Sequence, residues 1–524
     1  MHPTVEARLT RLSADQRTAA TAPPGPVLCV APAGSGKTTT LVARVAWRID
    51  EGARPETMAA LTFNRRAADE LRGRLHEALV PLIRETEAVR VRTFHALGLE
   101  ILGDAGLPVA PLVDRLEIIA SLAGHTLPAS ALRRLDDGFS RIKLDAGLDL
   151  DGARRELAAS RTTESRPAAD PQATTILEAF VAYEAELERL GALDFDDLVA
   201  RALRALEGDA ALLTRWRRRC HILFVDETQD LDRSQLRLAC LLAADANDLF
   251  LVGDDDQTIY AWRLADVRRI LGLAASLPGL QRVDLVTNRR CPPAVVARAS
   301  RLVAHNRERF EKRILAAPGT TGDLVLRPDP TDDVSRARSL LATWVPALHG
   351  PDPPTHAVLA RTNRELAPYA AAALELGLPY LAEDDGLGAL DDPGVGHTEA
   401  DHAHWSVGRG DASVLAALIE RMSAARARLR RPDAPLILAT AHGTKGLEFD
   451  VVACIGLDQG VFPSARTLVE AESPWRAMEE QRRLAYVAWT RARRRLVLVY
   501  DPGAPSPFLF EAVEPDELGR AWCP

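Results

Sequence analysis

A glycine-rich segment, Ala31–Thr38, limits what this chain can fold into more than any other feature of its sequence. It reads Ala-Pro-Ala-Gly-Ser-Gly-Lys-Thr, and it lies between an apolar run, Val27–Val30, and a helical pattern, Thr39–Ile49. A strand, a glycine-rich turn and a helix in this order form a phosphate-binding loop, in which backbone N–H groups and the positive end of the helix face phosphate oxygens. The segment therefore predicts an α/β domain that binds a nucleoside triphosphate.

The polar side chains of this loop have separate roles. Lys37 is expected to reach the β- and γ-phosphates, and the Thr38 hydroxyl is expected to coordinate Mg²⁺, so ATP and Mg²⁺ are the predicted ligands. The usual pattern opens with glycine where this chain has Ala31, but the inner glycines and the Lys-Thr pair are present. The predicted nucleotide-contacting residues of the loop are Ala33, Gly34, Ser35, Gly36, Lys37, Thr38 and Thr39.

Charge and composition exclude some classes of protein. The net charge of -8 excludes a protein that is basic overall, but a local basic groove on an acidic body still binds nucleic acid. Almost all of the 65 basic residues are arginine, so each remaining lysine indicates a site that needs a compact ammonium group. The lysines are Lys37, Lys143, Lys312 and Lys445.

The length of 524 residues predicts several domains. Apolar runs of about 18 residues are absent, and the N-terminal residues lack the apolar core of a signal peptide, so we expect a cytoplasmic protein without a membrane partner. The six cysteines are scattered without a Cys-x-x-Cys pair, which favours reduced thiols over a zinc or iron–sulfur site.

Carboxylates follow a second buried strand, Ile222–Val225. Because the carboxyl ends of parallel strands meet at one edge of a sheet, these carboxylates are expected near the phosphate loop. Asp226 is predicted to hold Mg²⁺, and Glu227 is predicted to polarise the attacking water.

A third strand, Leu249–Val252, leads into the segment Gly253–Arg263. Gln257 is expected to sense the γ-phosphate, whereas Tyr260 and Trp262 are expected to stack on bases, with Arg263 on the nucleic-acid backbone. One segment would then contact both ATP and nucleic acid, as the coupling of hydrolysis to movement requires.

Three further residues remain ambiguous at this point. Phe63 and Phe94 each follow or end a buried run, and each is either a platform for a base or a core aromatic. Gln16 either reads the adenine edge with its amide or belongs to a helix start for which Ser13 is the N-cap.

A second α/β layer begins near Asp284 and contains further apolar runs without a second phosphate loop. This arrangement indicates that ATP lies between two similar sheets and receives arginines from the second. Asn288–Arg290 and Thr490–Arg493 are the candidates, although a single arginine in such a chain is more often a solvated surface residue.

Two insertions interrupt these layers. Residues from about Ile101 to Leu190 have helical periodicity, and the stretch from Leu381 to about Arg431 begins acidic and glycine-rich. Four residues of that stretch have metal-ligand chemistry, but a solvated loop is favoured because they lack a strong scaffold. They are His397, Asp401, His402 and His404.

Taken together, these segments resemble the superfamily 1 DNA helicases of the UvrD/Rep/PcrA type. The matching motifs occur in order at Gln16, Ala31–Thr38, Leu61–Phe63, Thr93–His95, Val225–Asp230, Gly253–Arg263, Arg361–Asn363, Thr440–Asp450 and Tyr486–Ala492. The resemblance implies two RecA-like domains, 1A and 2A, with ATP in their cleft and single-stranded DNA across their top.

The resemblance also implies domain boundaries and two insertions, a helical 1B and a 2B that is shorter than in the family and is expected to be vestigial. Domain 1A would comprise residues 1–100 and 196–285, 1B residues 101–195, 2A residues 286–380 and 432–524, and 2B residues 381–431.

Site residues follow from the resemblance by position. Arg290 and Arg491 match the γ-phosphate arginines, Glu448 matches the ribose contact, and Arg289 replaces the aromatic that stacks on adenine. Leu264 replaces a family glycine. The implied DNA-binding residues are Phe63, Thr93, His95, Tyr260, Trp262, Arg263, Arg361, Asn363 and His442.

The implied activity is ATP-driven 3′→5′ translocation on single-stranded DNA and unwinding at junctions of single- and double-stranded DNA, in repair or replication. One alternative is a helicase-like subunit that acts with a separate nuclease in anti-phage defence, and a repair protein is another candidate partner. A second alternative is an ATP-gated DNA-binding switch without strong unwinding. A small-molecule P-loop kinase would have no use for the aromatic stretch Tyr260–Trp262.

Overall fold

The computed structural model describes residues 1–124, 127–162, 171–244, 248–384, 423–514 and 517–518. Contacts divide the chain into two compact units. The first contains Met1–Pro32, Gly36–Val286 and Glu308–Lys312, and the second contains Ala33–Ser35, Thr287–Arg307 and the chain from Arg313 onward. Each unit holds a six-stranded sheet flanked by helices, so the predicted α/β class is confirmed.

The first unit is built on a sheet in which all paired strands are parallel. Its strands are β1 (Val27–Val30), β2 (Met58–Thr62), β3 (Arg90–Thr93), β4 (Ile222–Val225), β5 (Asp248–Gly253) and β6 (Gln281–Asp284). Their spatial order is β3-β2-β4-β5-β1-β6. Strands β4, β5 and β1 are therefore neighbours, and the segments that follow them begin at the same edge of the sheet.

Both faces of this sheet are buried, as a parallel sheet requires. In β1, Val27 and Cys29 pack into one hydrophobic cluster while Leu28 and Val30 pack into the other, because successive side chains of a strand point to opposite faces. The helices are α1 (Pro3–Thr10), α2 (Ala14–Ala20), α3 (Lys37–Asp50), α4 (Arg65–Leu79), α5 (Phe94–Asp104), α6 (Arg115–Leu122), α7 (Ala129–Ser140), α8 (Leu150–Thr162), α9 (Pro171–Leu190), α10 (Asp197–Gly208), α11 (Ala210–Arg219), α12 (Arg233–Ala243), α13 (Val267–Leu271) and α14 (Leu273–Ser276).

Helices α6 to α9 have a hydrophobic cluster of their own, which includes Phe139, Phe180 and Tyr183. Contacts nevertheless group residues 101–195 with the first unit. Beside this cluster Lys143 is 1% exposed and pairs with carboxylates of Glu184, Asp194 and Asp197.

The second unit contains another sheet whose pairings are all parallel, in the order β11-β12-β10-β13-β14-β9. The strands of this unit are β7 (Thr287–Asn288), β8 (Leu315–Ala316), β9 (Asp323–Pro328), β10 (His356–Ala360), β11 (Tyr380–Ala382), β12 (Leu436–Thr440), β13 (Phe449–Cys454) and β14 (Ala492–Tyr500). Its helices are α15 (Pro293–Ala304), α16 (Asp333–Leu348), α17 (Ala367–Glu375), α18 (Ala465–Glu470), α19 (Pro474–Trp489) and α20 (Pro507–Ala512). Helices α16 and α17 cover β10 and β12 through a shared apolar core.

Most of the predicted 2B insertion, residues 385–422 of 381–431, lies outside the described residues, as do His397, Asp401, His402 and His404. Among the helices that are described, none combines the length and the apolarity that crossing a membrane requires.

Candidate functional site

The loop between β1 and α3 has the geometry of a phosphate cradle. Gly36 caps α3 in the left-handed conformation, with a φ of 85° that favours glycine. A Cβ at Gly36 would also lie 2.5 Å from Gln16 Nε2, so a larger residue would displace the glutamine. Lys37 Nζ donates to Ala31 O at 3.1 Å, which folds the ammonium group back over the loop.

Gln16 takes part in the start of α2. Ser13 is the N-cap, and its N–H donates to Gln16 Oε1 at 3.1 Å in a capping box. The capping alternative for Ser13 is therefore correct, yet the same glutamine side chain lies against Gly36 of the phosphate loop. A contact with adenine stays a prediction.

The tip of the loop, Ala33–Ser35, belongs by its contacts to the second unit. There Asn288 Nδ2 donates to Ala33 O at 2.8 Å, and the Arg289 N–H donates to Gly34 O at 2.8 Å. Gly34 has a φ of 69°, and a Cβ on it would lie 2.7 Å from Asn288 Oδ1. Glycine is thus required here both by the backbone conformation and by the close approach of Asn288.

The turn after β4 places two carboxylates next to each other. Asp226 is 6% exposed, and burial together with the charge of Glu227 raises its pKa well above the usual range, while Lys37 acts in the opposite direction. Glu227 has a φ of 51°, a left-handed conformation that costs a non-glycine residue about 1–2 kcal/mol. Such strain at a candidate catalytic position is consistent with a constraint on where Glu227 points.

A chain of hydrogen bonds connects this turn to the segment after β5. Gln229 Nε2 donates to Glu227 Oε2 at 2.5 Å, and Gln229 Oε1 accepts from the Asp254 N–H at 3.0 Å. Asp254 Oδ2 in turn accepts from Gln257 Nε2 at 2.7 Å. Glu227 and Gln257, predicted separately from sequence, are thus linked through Gln229 and Asp254.

An aromatic surface lies beyond Gln257. The Phe63 and Tyr260 rings are stacked, Trp262 meets Tyr260 edge-on at 6.0 Å, and Trp262 is 53% exposed. The Arg263 guanidinium lies 4.7 Å from the Trp262 ring centroid. We call Phe63, Tyr260 and Trp262 the aromatic platform.

The ambiguity over the two phenylalanines is resolved differently for each. Phe94 is 1% exposed and is a core residue, whereas Phe63 is partly exposed in the platform. Thr93 caps α5 by accepting from the Ala96 N–H at 3.2 Å.

A second exposed aromatic was missed by the sequence reasoning. Phe195 is 55% exposed, and its ring stacks on His95 with centroids 4.1 Å apart. Burial lowers the pKa of His95 to about 4, and Arg263 adds to this effect while Asp196 opposes it. The imidazole is therefore neutral at pH 7, which suits stacking. The one feature of the sequence that could have indicated an exposed ring is the position of Phe195 among three aspartates, in the segment Asp194–Asp197. An apolar side chain is unexpected there.

In the second unit the predicted γ-phosphate arginine Arg290 pairs with the predicted ribose contact Glu448, Nε to Oε2 at 2.7 Å. Arg493 also pairs with Glu448. Although burial acts the other way, these two arginines lower the pKa of Glu448 and keep it ionised. Arg491 is 2% exposed and donates to the carbonyls of Val487 and Leu447 at 2.9 and 3.1 Å.

The remaining predicted DNA contacts of the second unit lie in turns after parallel strands. Arg361 follows β10 and donates to Gln481 Oε1 at 2.8 Å. Asn363 Nδ2 donates to Asp384 Oδ2 at 2.9 Å, and His442 begins a short turn of 3-10 helix after β12. The structure therefore brings Arg361, Asn363 and His442 to the carboxyl ends of two adjacent strands, β10 and β12.

Two family models match the chain. The UvrD/REP helicase N-terminal domain matches residues 12–278, and the UvrD-like helicase C-terminal domain matches residues 401–502.

Several curated helicases are similar over most of the chain. The ATP-dependent DNA helicase UvrD2 of Mycobacterium tuberculosis (strain ATCC 25618 / H37Rv) is 29% identical over 556 residues, which cover 93% of this chain and 78% of that protein. The ATP-dependent DNA helicase PcrA of Leuconostoc citreum is 26% identical over 631 residues, covering 95% and 82%. The PcrA of Staphylococcus aureus (strain Mu50 / ATCC 700699) is 25% identical over 386 residues, covering 72% and 51%.

The first family model alone spans more than half of the chain, and it begins just before Gln16 and ends after the aromatic platform. The recognition made from the ordered motifs is thereby confirmed, as is the expectation of an ATPase. This chain belongs to the UvrD/REP helicase family and is a UvrD-like ATP-dependent DNA helicase.

Proposed function

We propose that this helicase moves 3′→5′ along single-stranded DNA and unwinds duplexes at junctions of single- and double-stranded DNA, in repair or replication. The observation that carries the proposal is the hydrogen-bonded path from Glu227 through Gln229 and Asp254 to Gln257. Gln257 lies three residues before Tyr260 of the aromatic platform. This short path supports the transmission of a change at the hydrolytic residues to residues that stack on bases.

In this proposal ATP binds at the phosphate loop through Lys37 and the loop backbone. Asp226 fits a cation, because its ionised form is disfavoured by burial and by Glu227 until a positive charge is supplied. Mg²⁺ would be held by Asp226 and the Thr38 hydroxyl, and it would offset negative charge on the β- and γ-phosphates.

Further side chains take part in hydrolysis in this proposal. Glu227 polarises the attacking water, and Gln257 contacts the γ-phosphate. Arg290 and Arg491 stabilise the charge that develops there. The nucleoside contacts are Gln16, Arg289 and Glu448.

Single-stranded DNA binds by stacking rather than by reading base edges. In the aromatic platform Trp262 is exposed, and Phe63 and Tyr260 are partly exposed. The face of an aromatic ring accepts any base, so binding is independent of sequence. Thr93, His95, Arg263, Arg361, Asn363 and His442 are the proposed contacts to the strand and its backbone.

The first test is ATP hydrolysis with and without single-stranded DNA, with Glu227→Gln as the blank. Strong stimulation by DNA supports a DNA motor, and its absence contradicts the proposal. Duplexes with a 3′ or a 5′ single-stranded tail then test direction. Unwinding of the 3′-tailed substrate alone is expected, and stimulation without unwinding of either would instead support a DNA-binding switch.

A further inference from the structure

Three consecutive carboxylates follow β5 and are completely buried. Asp254, Asp255 and Asp256 are each 0% exposed. Burying an ionised carboxylate costs several kcal/mol unless a partner charge is close. The partners are two cations, Arg309 and Lys312.

Lys312 contacts all three carboxylates with a side chain that is itself 0% exposed. Its Nζ lies 2.7 Å from Asp254 Oδ1 and 2.9 Å from Asp256 Oδ2, and it also pairs with Asp255. Arg309 forms a bidentate pair with Asp256, Nε to Oδ1 at 3.1 Å and Nη2 to Oδ2 at 2.8 Å. A compact ammonium meets three oxygens at one point, which a planar guanidinium cannot do, and this explains a lysine in an arginine-rich chain.

The two cations come from an unusual place in the chain. Glu308–Lys312 belongs to the first unit by its contacts, although the chain on both sides of it belongs to the second. Its backbone is fixed as well, because the Phe310 N–H donates to Asp255 Oδ2 at 2.8 Å and Glu311 O accepts from Arg282 Nη2 at 2.9 Å.

Asp254 is the branch point between this ion cluster and the hydrolytic residues. One carboxylate oxygen accepts from Lys312, the other accepts from Gln257, and the N–H donates to Gln229, which in turn donates to Glu227. A shift of Lys312 therefore acts on Gln257 through a single carboxylate.

We propose that Lys312 is a positioning residue for ATP hydrolysis, which holds Gln257 in place through Asp254 and makes that placement depend on the segment Glu308–Lys312. The inference rests on the proposed function, since it requires that Gln257 contact the γ-phosphate. Nothing in it requires Lys312 to contact ATP or DNA.

The experiment compares Lys312→Met with a matched control, Lys143→Met. Lys143 is 1% exposed and also pairs with three carboxylates, at 2.6, 2.9 and 3.1 Å, so both substitutions leave similar buried charge without its partner. Both variants are expected to unfold at lower temperature. At saturating ATP and single-stranded DNA, only Lys312→Met is expected to lose kcat, by about 10- to 100-fold, with a much smaller change in KM for ATP. Equal kcat values in the two variants would overturn the proposal.

A double-variant test separates positioning from general damage. If Lys312 acts through Gln257, adding Lys312→Met to Gln257→Ala lowers kcat no further, whereas independent structural damage would multiply the two losses. A wild-type kcat in Gln257→Ala would also refute the inference.

Should Lys312→Met fail to fold, Asp254→Asn provides the same test. Lys312 and Gln257 donate to different oxygens of Asp254, and asparagine replaces one of these oxygens by an NH2 group, which donates. A similar loss of kcat that does not add to Gln257→Ala is therefore expected. Wild-type kcat in Asp254→Asn would refute the inference. A wild-type protein that DNA does not stimulate refutes the proposed function itself, whereas a stimulated wild type with equal lysine variants refutes only the positioning role.

Discussion

The rings of Phe63 and Tyr260 lie nearly parallel, with centroids 5.5 Å apart and 12° between their planes. Phe63 follows β2, whereas Tyr260 lies in the segment that follows β5, so the pair connects two loops at the same edge of the sheet. Trp262 extends this surface towards solvent. The three rings therefore form one aromatic surface at this edge of the sheet.

Replacing Trp262 by alanine should weaken DNA binding without destabilising the fold, because the indole is 53% exposed. Loss of one stacked base is worth about 1–3 kcal/mol, so affinity for a labelled single-stranded oligonucleotide should fall by about 5- to 150-fold. Fluorescence anisotropy measures this change, and DNA-stimulated hydrolysis should fall more than DNA-free hydrolysis.

Trp475→Ala is the control for that experiment. Trp475 is 44% exposed and has the Arg476 guanidinium 4.9 Å from its ring centroid, much as Arg263 lies beside Trp262. Equal losses of affinity in both variants would contradict a specific role for the platform.

Glu227→Gln should abolish turnover while ATP still binds. The amide is isosteric and can still accept the hydrogen bond from Gln229, but it cannot polarise water as a carboxylate does. We expect kcat to fall by about 10²- to 10⁴-fold, measured by phosphate release, with little change in the binding of a fluorescent ATP analogue. Lys37→Ala should lose binding as well, and full turnover in either variant would refute the assignment.

Asp232→Asn should raise stability at alkaline pH. Asp232 caps α12 by accepting from the Gln235 N–H at 2.8 Å, and burial, with lesser contributions from Asp196 and Asp145, raises its pKa to about 7. Because the folded-state pKa lies above the unfolded value, the stabilising contribution is present at low pH and is lost as pH rises through about 7. Asparagine caps a helix equally well and does not ionise.

At pH 8 the melting temperature of Asp232→Asn should therefore exceed that of the wild type by a few degrees. The difference in melting temperature should be smaller at pH 5. Asp209→Asn is the matched control. Asp209 caps α11 through the N–H groups of Ala211 and Leu212, and these hydrogen bonds lower its pKa. The melting temperature of Asp209→Asn at pH 8 should not exceed that of the wild type. An equal increase in both variants would contradict the role of burial.

At position 264 glycine should be more stable than alanine, the reverse of the usual order. Leu264 has a φ of 66° and is 5% exposed. Alanine would lose the buried side chain and keep the left-handed strain, whereas glycine would lose the side chain and relieve strain of about 1 kcal/mol. Urea unfolding should rank leucine first, glycine second and alanine third, and alanine above glycine would show that the backbone here is not strained.

Much of the fold follows from local sequence, since buried strands are apolar throughout. Val27–Val30 and Ile222–Val225 are apolar runs and coincide with β1 and β4. Two of the edge strands, β6 and β11, were harder to predict. Gln281–Asp284 is polar and partly exposed, and Tyr380–Ala382 has three residues, so neither has a period or a run to detect.

The candidate site likewise has parts that local sequence predicts and parts that it does not. The phosphate loop and the turn at Asp226 are local motifs, and the sequence locates them directly. The pairing of Lys312 with Asp254 spans 58 positions, and no local pattern reports it. The scarcity of lysine in the sequence indicated that Lys312 occupies a special site, but it did not indicate the partners of Lys312. Such long-range contacts depend on the order of the strands in the sheet.

The return of Glu308–Lys312 to the first unit has a practical consequence for dissecting this protein. A fragment truncated after Val286 would retain all six strands of the first sheet, the phosphate loop and the acidic turn. It would nevertheless leave Asp254, Asp255 and Asp256 without the two cations that pair with them. The first unit is therefore not a contiguous piece of the sequence, and a fragment that keeps these ion pairs would have to extend through Lys312.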